Sequence, residues 1–169
     1  MLFRSVDERL RVKPPGAVKG CFDGAWWPRS REPVAEFSAL VTALAADSGP
    51  VDRIGFNPGT WDLAPRTLAL ESGFVRLAGF FGLDRHTIIV IGPRIRRLTL
   101  LVIPPGVDPA AAERALEAAA APDAVGSAAL ILTSSGAIGP PGRIGEAAAK
   151  ANDPGHVRRR RGGRGPGNR

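Results

Sequence analysis

Apolar side chains recur with two different periods near the start of the chain, and these periods predict a strand followed by a helix. Residues 9–13 alternate basic and apolar side chains and place Leu10 and Val12 on one face, as in a half-buried strand. Residues 33–47 carry apolar side chains at spacings of three and four, which predicts an amphipathic helix that begins at Pro33. The apolar stripe consists of Val34, Phe37, Leu40, Val41 and Leu44.

Further segments have the length and side-chain pattern of strands. They are residues 51–57, 66–70, 74–79, 86–92 and 97–104. The second and third are separated by a short turn that contains a glycine, and so are the fourth and fifth, so each pair is predicted to form a hairpin. The last two segments are apolar on both faces, which is typical of central strands covered on both sides.

A second helix is predicted after the last of these strands. Asp108-Pro109 is a favourable helix start, and residues 110–121 are strong helix formers with Leu116 as their only large apolar side chain. The short apolar run 128–132 is compatible with a turn of helix or with an edge strand. Beyond Ser134 the sequence is dominated by glycine, proline, alanine and arginine, and we expect it to be disordered.

Together these elements predict an α+β fold with a mostly antiparallel sheet of about five to six strands and two helices packed on one face. The sheet is predicted to be antiparallel because the connections between strands are too short for parallel crossovers. The α+β domain is expected to span residues 9–125. Residues 1–8 would form an N-terminal arm, and residues 126–169 a low-complexity, mostly disordered basic tail.

The formal net charge of +7 belongs mainly to the end of the chain. Residues 157–169 contain six arginines and no acidic residue, and the remaining chain has 17 basic and 16 acidic residues. Five of the six arginines are candidates for weak, non-specific binding of nucleic acid through phosphate contacts. They are Arg158, Arg159, Arg160, Arg161 and Arg164. The alternative is a solvated tail that reflects the arginine-rich, lysine-poor bias of the whole sequence.

The cysteine content and the apolar runs exclude several classes of protein. Cys21 is the only cysteine, so no disulfide within the chain is possible, and the residue is expected to be a small buried side chain. No signal peptide or bilayer-length apolar segment is present, which favours a cytoplasmic protein without a membrane partner. No phosphate-binding glycine motif and no metal-ligand spacing is found, so neither a cofactor nor a metal is predicted.

The tryptophans lie in two loops that carry charged residues. Trp26 and Trp27 lie in the segment 23–31, between the first strand and the first helix, and Trp61 lies in the segment 57–62. The functional interpretation is a pocket with an aromatic wall that holds a small molecule or a protein partner. The polar groups that would orient such a ligand are Asp23, Arg29, Arg31 and Asp62.

The alternative interpretation is that the tryptophans close one end of the sheet and the charged residues pair with one another. Neighbouring residues of an extended chain face opposite ways, so one of Trp26 and Trp27 would enter the core and the other would stay near the surface. If all three tryptophans are buried and well packed, the hypothesis of a tryptophan-lined site loses its basis.

His86 is the only histidine of the predicted domain and opens one of the central strands. It is a candidate general base if it lies close to Asp23 or Asp62. The alternative is an ordinary histidine at the end of a strand, and no nucleophile motif accompanies it.

Several of these stretches resemble an actinobacterial family of small proteins of unknown function. The resemblance covers roughly residues 9–120, and its most specific part is the string D-G-A-W-W-P-R-S at 23–30. Phe56 stands where the family pattern leads us to expect tyrosine, and Arg85 where it leads us to expect proline. The other matching stretches are 9–14, the Asn57…Trp61-Asp62 loop, 75–80, 86–87, 97–105 and 108–109. The resemblance implies a domain with this loop as its hallmark and implies no activity.

Three functions are therefore considered, and the sequence favours the first. The first is a non-enzymatic binding or regulatory module that uses the tryptophan-containing loops. The second is a nucleic-acid-associated protein that acts through the arginine- and glycine-rich tail. The third is an enzyme that uses His86 with Asp23 or Asp62.

Overall fold

The computed structural model describes residues 8–139, which form one seven-stranded sheet and three helices. The strands are β1 (Leu10–Val12), β2 (Gly24–Trp26), β3 (Arg53–Phe56), β4 (Thr67–Leu70), β5 (Gly73–Gly79), β6 (Thr87–Ile91) and β7 (Leu98–Val102). The helices are α1 (Pro33–Asp47), α2 (Pro109–Ala120) and α3 (Ala128–Ser134). The predicted N-terminal arm, except for residue 8, and the arginines of the basic tail lie outside the described residues.

The strand order is β1-β2-β7-β6-β3-β5-β4, and four of the six pairings are antiparallel. The pairs β2–β7 and β3–β5 are parallel. The predicted α+β class and mostly antiparallel sheet are therefore confirmed, with seven strands in place of five to six and three helices in place of two. The two predicted hairpins are present as β4–β5 and β6–β7.

The segment that contains the tryptophan pair is a strand in its first half, whereas the sequence predicted a loop. Gly24–Trp26 forms β2, which pairs with β1 on one side and with β7 on the other. Three residues are too few to show an alternation of apolar and polar positions, and the flanking glycines and prolines resemble those of a loop. Two neighbouring strands hold this short segment in the sheet, so its conformation is set by tertiary contacts.

The helices lie on opposite faces of the sheet, so the prediction of two helices on one face is wrong. Helix α1 packs over one face in a cluster that includes Leu100 and Val102 of β7. Helices α2 and α3 pack over the other face in a cluster that includes Leu101 of β7 and Ile103 just beyond it. Alternate residues of a strand point to opposite faces, so a β7 that is apolar at successive positions requires cover on both sides.

Helix α1 has the predicted bounds. Pro33 occupies the first turn, where its missing N–H has no intrahelical acceptor to satisfy. Phe37 and Leu40 are fully buried, whereas Val34 of the predicted stripe is 43% exposed. The buried stripe is therefore narrower than the sequence pattern indicated.

The packed part of the chain continues past the domain boundary predicted at residue 125. The Asp108 side chain accepts hydrogen bonds from the N–H groups of Ala110 and Ala111 and so begins α2 as predicted. The apolar run 128–132 is helical rather than an edge strand, and the Ser127 hydroxyl accepts from Leu130 N–H. Leu132 of α3 is fully buried beside α2, which explains why the domain extends beyond this boundary.

Helices α2 and α3 cover only part of their face of the sheet. Their cluster draws on β2, β7 and the adjoining loops, and it contains no residue of β3, β4, β5 or β6. Within residues 8–139, that face of these four strands has no helix packed on it.

No helix in the described part of the chain is long and apolar enough to cross a membrane.

Candidate functional site

A pocket lies at one end of the sheet, where β2 and β7 end and β6 begins. Its wall draws on the loop before α1, the turn after β3, the residues before β6 and the end of β7. It encloses about 50 Å³ and opens to solvent through a wide mouth. The lining residues are Pro28, Ser30, Arg31, Thr60, Trp61, Arg85, His86, Val102, Pro104 and Pro105.

Trp61 forms the aromatic wall of this pocket and is rigidly held. Its ring stacks on Trp26, with centroids 5.6 Å apart and an interplanar angle of 15°. Its other contact is with Phe37 of α1, whose ring meets it edge-on at 4.7 Å. Trp61 is 9% exposed, and Trp26 behind it is 2% exposed. Trp61 therefore contacts the core and the pocket at once, while Trp26 supports it from within the core.

The turn that precedes Trp61 is fixed by a buried asparagine. The Asn57 side chain accepts a hydrogen bond from Gly59 N–H at 2.8 Å and donates to the Leu83 carbonyl at 2.7 Å. Since Asn57 is 6% exposed, these bonds satisfy polar atoms that would otherwise be costly to bury. The side chain thus joins the turn before Trp61 to the segment that leads into β6.

The loop that carries Arg31 is tied to helix α1 and to the Trp61 loop. The buried carboxylate of Glu36 accepts from Arg29 N–H at 3.1 Å and from the Ser30 hydroxyl at 2.9 Å. The Arg31 carbonyl accepts from Asp62 N–H at 2.9 Å. The two loops that the sequence singled out for their tryptophans are therefore bonded to each other beside the pocket.

His86 is held by its backbone, and its half-buried side chain lines the pocket. Its N–H donates to the Asp84 carboxylate at 2.7 Å, and its carbonyl accepts from Val102 N–H at 2.7 Å. These bonds fix the start of β6 against the end of β7. Arg85 is exposed and lines the same pocket.

The ionisable side chains at the pocket are all basic. Arg31, Arg85 and His86 line it, and no aspartate or glutamate does. In the described part of the chain, neither arginine side chain has a carboxylate partner. The pocket is therefore suited to receive negative charge.

Three other candidates lie elsewhere. Asp23 is at the opposite end of β2, where its carboxylate accepts from Thr99 N–H at 2.8 Å. Arg29 lines a separate depression together with Trp26, Trp27 and Glu36. Asp62 is exposed and lines another depression, which Trp61 also borders.

Trp27 faces the other side of the sheet from Trp26, as expected for neighbours on a strand, but it is also buried. It is 4% exposed, and its indole N–H donates to the Pro104 carbonyl at 3.2 Å. The Arg9 guanidinium lies 4.1 Å from the centre of its ring, a cation–π geometry. The expectation that one of the pair stays near the surface is wrong because both sheet faces are covered at this point.

The string D-G-A-W-W-P-R-S is explained residue by residue as a structural segment. Asp23 joins β2 to β7 through Thr99. Gly24 is required by close packing, since a Cβ there would lie 2.1 Å from the Arg11 carbonyl oxygen of β1. Ala25 is fully buried against α2, and the serine hydroxyl holds Glu36. Only Pro28, Ser30 and the following Arg31 reach the pocket.

The geometry required for a catalytic histidine is not met by these groups. His86 lines the pocket, whereas Asp23 lies at the other end of its strand and Asp62 lines a different depression. No hydrogen bond joins His86 to either carboxylate. Among residues 8–139 no cluster of three or more histidine, cysteine or acidic side chains could hold a metal ion. Cys21, expected to be buried, is exposed in the connection between β1 and β2, outside the sheet.

Sequence reasoning identified Arg31, Trp61 and His86 among the lining residues and missed the rest. Arg85 was noticed only as a departure from a family pattern, and the prolines after β7 only as part of a stretch that matches it. The available signal was that the segments around these residues all adjoin strand ends, which meet at one edge of a sheet.

Comparison with known proteins gives one match. The model of a family described as "Family of unknown function (DUF5994)" matches residues 9–119, from the segment before β1 to the last turn of α2. No curated protein and no solved structure matches the chain.

Proposed function

For this chain, which belongs to the DUF5994 family of unknown function, we propose a role as a non-enzymatic module that binds a small organic anion in the pocket beside Trp61. The observation that carries the proposal is the charge of that pocket. Two guanidinium groups and an imidazole line it without an acidic side chain among them.

Arginine is well suited to this role. Its planar guanidinium donates two parallel hydrogen bonds to a carboxylate or phosphate, and such charge-assisted bonds are stronger than neutral ones. Arg31 and Arg85 are exposed and have no carboxylate partner among residues 8–139, so binding an anion would not require an existing ion pair to break. His86, which is half-buried, would add a donor at the inner wall.

The remaining wall favours a ligand with a flat apolar part. Trp61, Val102 and three prolines supply rigid apolar surface around the basic groups. Because the Trp61 ring is already fixed by Trp26 and Phe37, little side-chain freedom would be lost on binding. The enclosed volume of about 50 Å³ is well below the roughly 300 Å³ at which sites for drug-sized ligands begin, so the pocket itself has room only for a small anionic group, and the rest of a ligand would lie against its open mouth.

All three tryptophans are buried and packed, so the hypothesis that the tryptophans themselves form the site loses its basis, and the proposal rests instead on the basic side chains beside Trp61. Trp26 and Trp27 are buried and packed, so their contribution is to support the site and the sheet. Asp23, Arg29 and Asp62 remain candidates only for indirect roles, because each lies outside the pocket.

In the test, the intact chain is titrated with small carboxylates and phosphates that carry an aromatic or aliphatic ring. Binding is detected by the change in tryptophan fluorescence. We expect saturable quenching and at least tenfold weaker binding by the variant Arg31→Gln/Arg85→Gln, since a hydrogen bond to a charged group contributes about 1.5–3 kcal/mol. The control is Lys19→Gln/Arg94→Gln, which removes the same charge at two exposed residues outside the pocket.

The proposal fails if neutral amides of the same compounds bind as tightly as the acids. It also fails if the pocket variant and the control variant bind equally well, because the charge of the pocket would then be irrelevant.

Nucleic-acid association through the tail stays a second proposal, supported by the six arginines and the lack of acidic residues in 157–169. Its test uses a variant with glutamine in place of five arginines, which is compared with the intact chain in the oligonucleotide-binding experiments under the next heading. The five positions are Arg158, Arg159, Arg160, Arg161 and Arg164.

A further inference from the structure

The half of the sheet that α2 and α3 leave open carries an unusual set of side chains. On this face, Thr67, Arg76, Arg53 and Ile91 are register neighbours across β4, β5, β3 and β6. Together with Asp52 and Phe74 they line one shallow depression. We call this area the open sheet surface.

Two arginines occupy the middle of the open sheet surface. Arg53 and Arg76 are directly paired in the parallel register of β3 and β5, and both are exposed. Neither forms an ion pair with a carboxylate among residues 8–139, although Asp52 lies at the rim. Two like charges at neighbouring positions oppose each other, and an anion bound between them would relieve that repulsion.

Exposed aromatic rings flank these arginines along β5. Phe74 is 77% exposed, and Phe80, just beyond the strand, is 52% exposed. The Phe80 ring lies over Gly55 of β3, where a Cβ would be 3.4 Å from the ring, so the missing side chain lets the ring lie close to the sheet. Phe74, Arg76 and Phe80 are separated by even numbers of residues, which places all three on one face.

We propose that the open sheet surface binds single-stranded nucleic acid. An aromatic ring on each side of a guanidinium pair offers stacking for unpaired bases and hydrogen bonds for the phosphates between them. A flat sheet with exposed aromatic rings is a recurring way for proteins to hold single strands, because it presents the rings to splayed-out bases.

The same features argue against other occupants. A second copy packed by this face would bring Arg53 and Arg76 near their own equivalents. The basic tail of the chain, with six arginines and no acidic residue in 157–169, has the same sign of charge. A membrane surface favours apolar side chains gathered in one patch, whereas here Phe74 and Phe80 are separated by Arg76.

The first test measures binding of short fluorescent oligothymidylate and oligouridylate to the full chain across a salt series. In Arg53→Gln/Arg76→Gln we expect the negative slope of log K against log salt to become shallower by about 1.4, since each phosphate contact on a single strand contributes about 0.7. This change corresponds to about 25-fold weaker binding near 0.1 M salt. Lys19→Gln/Arg94→Gln is the charge-matched control. Comparison of the two oligonucleotides shows whether RNA or DNA is preferred.

The second test separates stacking from charge and from the tail. Phe74→Leu keeps an apolar side chain but removes the ring, and we expect about tenfold weaker binding, the contribution of one stacked base. Phe74→Tyr keeps the ring and is expected to bind like the unmodified chain. The tail variant with five glutamines is expected to lower affinity while leaving the effect of Phe74→Leu unchanged.

Several results would overturn the proposal. One is equal binding of a duplex of the same length, because its bases are not free to stack. Another is binding that is lost in the tail variant and unaffected by Arg53→Gln/Arg76→Gln and Phe74→Leu. A third is a dimer in sedimentation, or retention on anionic vesicles, that Phe74→Leu abolishes while oligonucleotide affinity is unchanged. None of these outcomes bears on the pocket beside Trp61, which lies at the end of the sheet.

Discussion

The two covered faces of the sheet are packed with side chains of very different size. Under α1 the cluster holds four large aromatic residues that contact one another: Trp26, Phe37, Phe56 and Trp61. Under α2 and α3 the cluster includes two aromatic residues, Phe22 and Trp27, and five alanines: Ala25, Ala112, Ala115, Ala119 and Ala128. Rings that contact one another fill the centre of the first face, whereas on the second face alanines allow α2 to lie close to the strands.

This difference predicts opposite sensitivities. The aromatic face loses most when a side chain is made smaller, since the rings leave a space that their neighbours cannot fill. The alanine face loses most when a side chain is made larger, since the helix and the strand have no room to separate without breaking other contacts.

The largest effect is expected when Phe37 is replaced by alanine. Phe37 is fully buried, and its ring contacts Trp26, Phe56 and Trp61. Removing the ring of a buried phenylalanine lowers the free energy of unfolding by about 3–5 kcal/mol. Urea denaturation followed by circular dichroism measures the change.

Val34→Ala on the same helix is the matched control for Phe37→Ala. Val34 is 43% exposed, so we expect a loss within about 0.5 kcal/mol. Similar losses for the two variants would show that the aromatic cluster does not dominate the stability of this face.

A smaller effect is expected when a large side chain is placed in the alanine face. Ala112 on α2 is fully buried against the sheet, and Ala112→Leu should lower the free energy of unfolding by about 1–3 kcal/mol through overpacking. Ala118→Leu makes the same change at an exposed position of α2 and should be nearly neutral. A stabilising Ala112→Leu would contradict the close packing, because it would mean that the face holds an unfilled space.

The smallest effect concerns the ion pair that joins the alanine face to the edge of the sheet. Arg11 of β1 and Glu113 of α2 are 2.7 Å apart, with side chains 39% and 35% exposed. A double-mutant cycle with Arg11→Gln and Glu113→Gln should give a coupling of about 0.2–1 kcal/mol that decreases with added salt. A coupling well above this range, or one insensitive to salt, would show that the pair is a main support of α2.

The sequence allowed α1 and β2 to be predicted with very different success. Helix α1 is fifteen residues long, so its apolar stripe repeats several times between Pro33 and Gly49, and its bounds were predicted correctly. Strand β2 has three residues, and its conformation is imposed by partners 12–16 and 76 positions away in the chain. Such pairing leaves no periodic signal within the segment itself.

The placement of the helices on both faces of the sheet could have been predicted from the apolar pattern of β7. β7 was recognised as apolar on both faces, which requires cover on both, yet both helices were assigned to one side. The open sheet surface also had a signal, because Phe74 and Arg76 alternate with Val75 and Leu77 in β5. Alternation alone does not show that no helix covers the outward residues.

The candidate site was predicted in part. Trp61, Arg31 and His86 were selected by residue type and do line one pocket. Asp23 was selected by the same reasoning, but its carboxylate accepts from a β7 backbone N–H at the far end of β2. The sequence places Asp23 and Trp26 only three positions apart, and it does not reveal that a strand carries them to different ends of the sheet.

The position of β2 between β1 and β7 has a consequence for the order of folding. Its parallel pairing with β7 joins Gly24 to Leu100, so a long stretch of chain must be closed before this contact can form. Closing a long loop has an entropic cost that the β4–β5 and β6–β7 hairpins avoid, and long-range pairings therefore slow folding. We expect the hairpins to form early and the insertion of β2 to be late, with Trp26 reaching Trp61 only at that step. A refolding experiment would then show the tryptophan signal of the stacked pair lagging behind the formation of secondary structure.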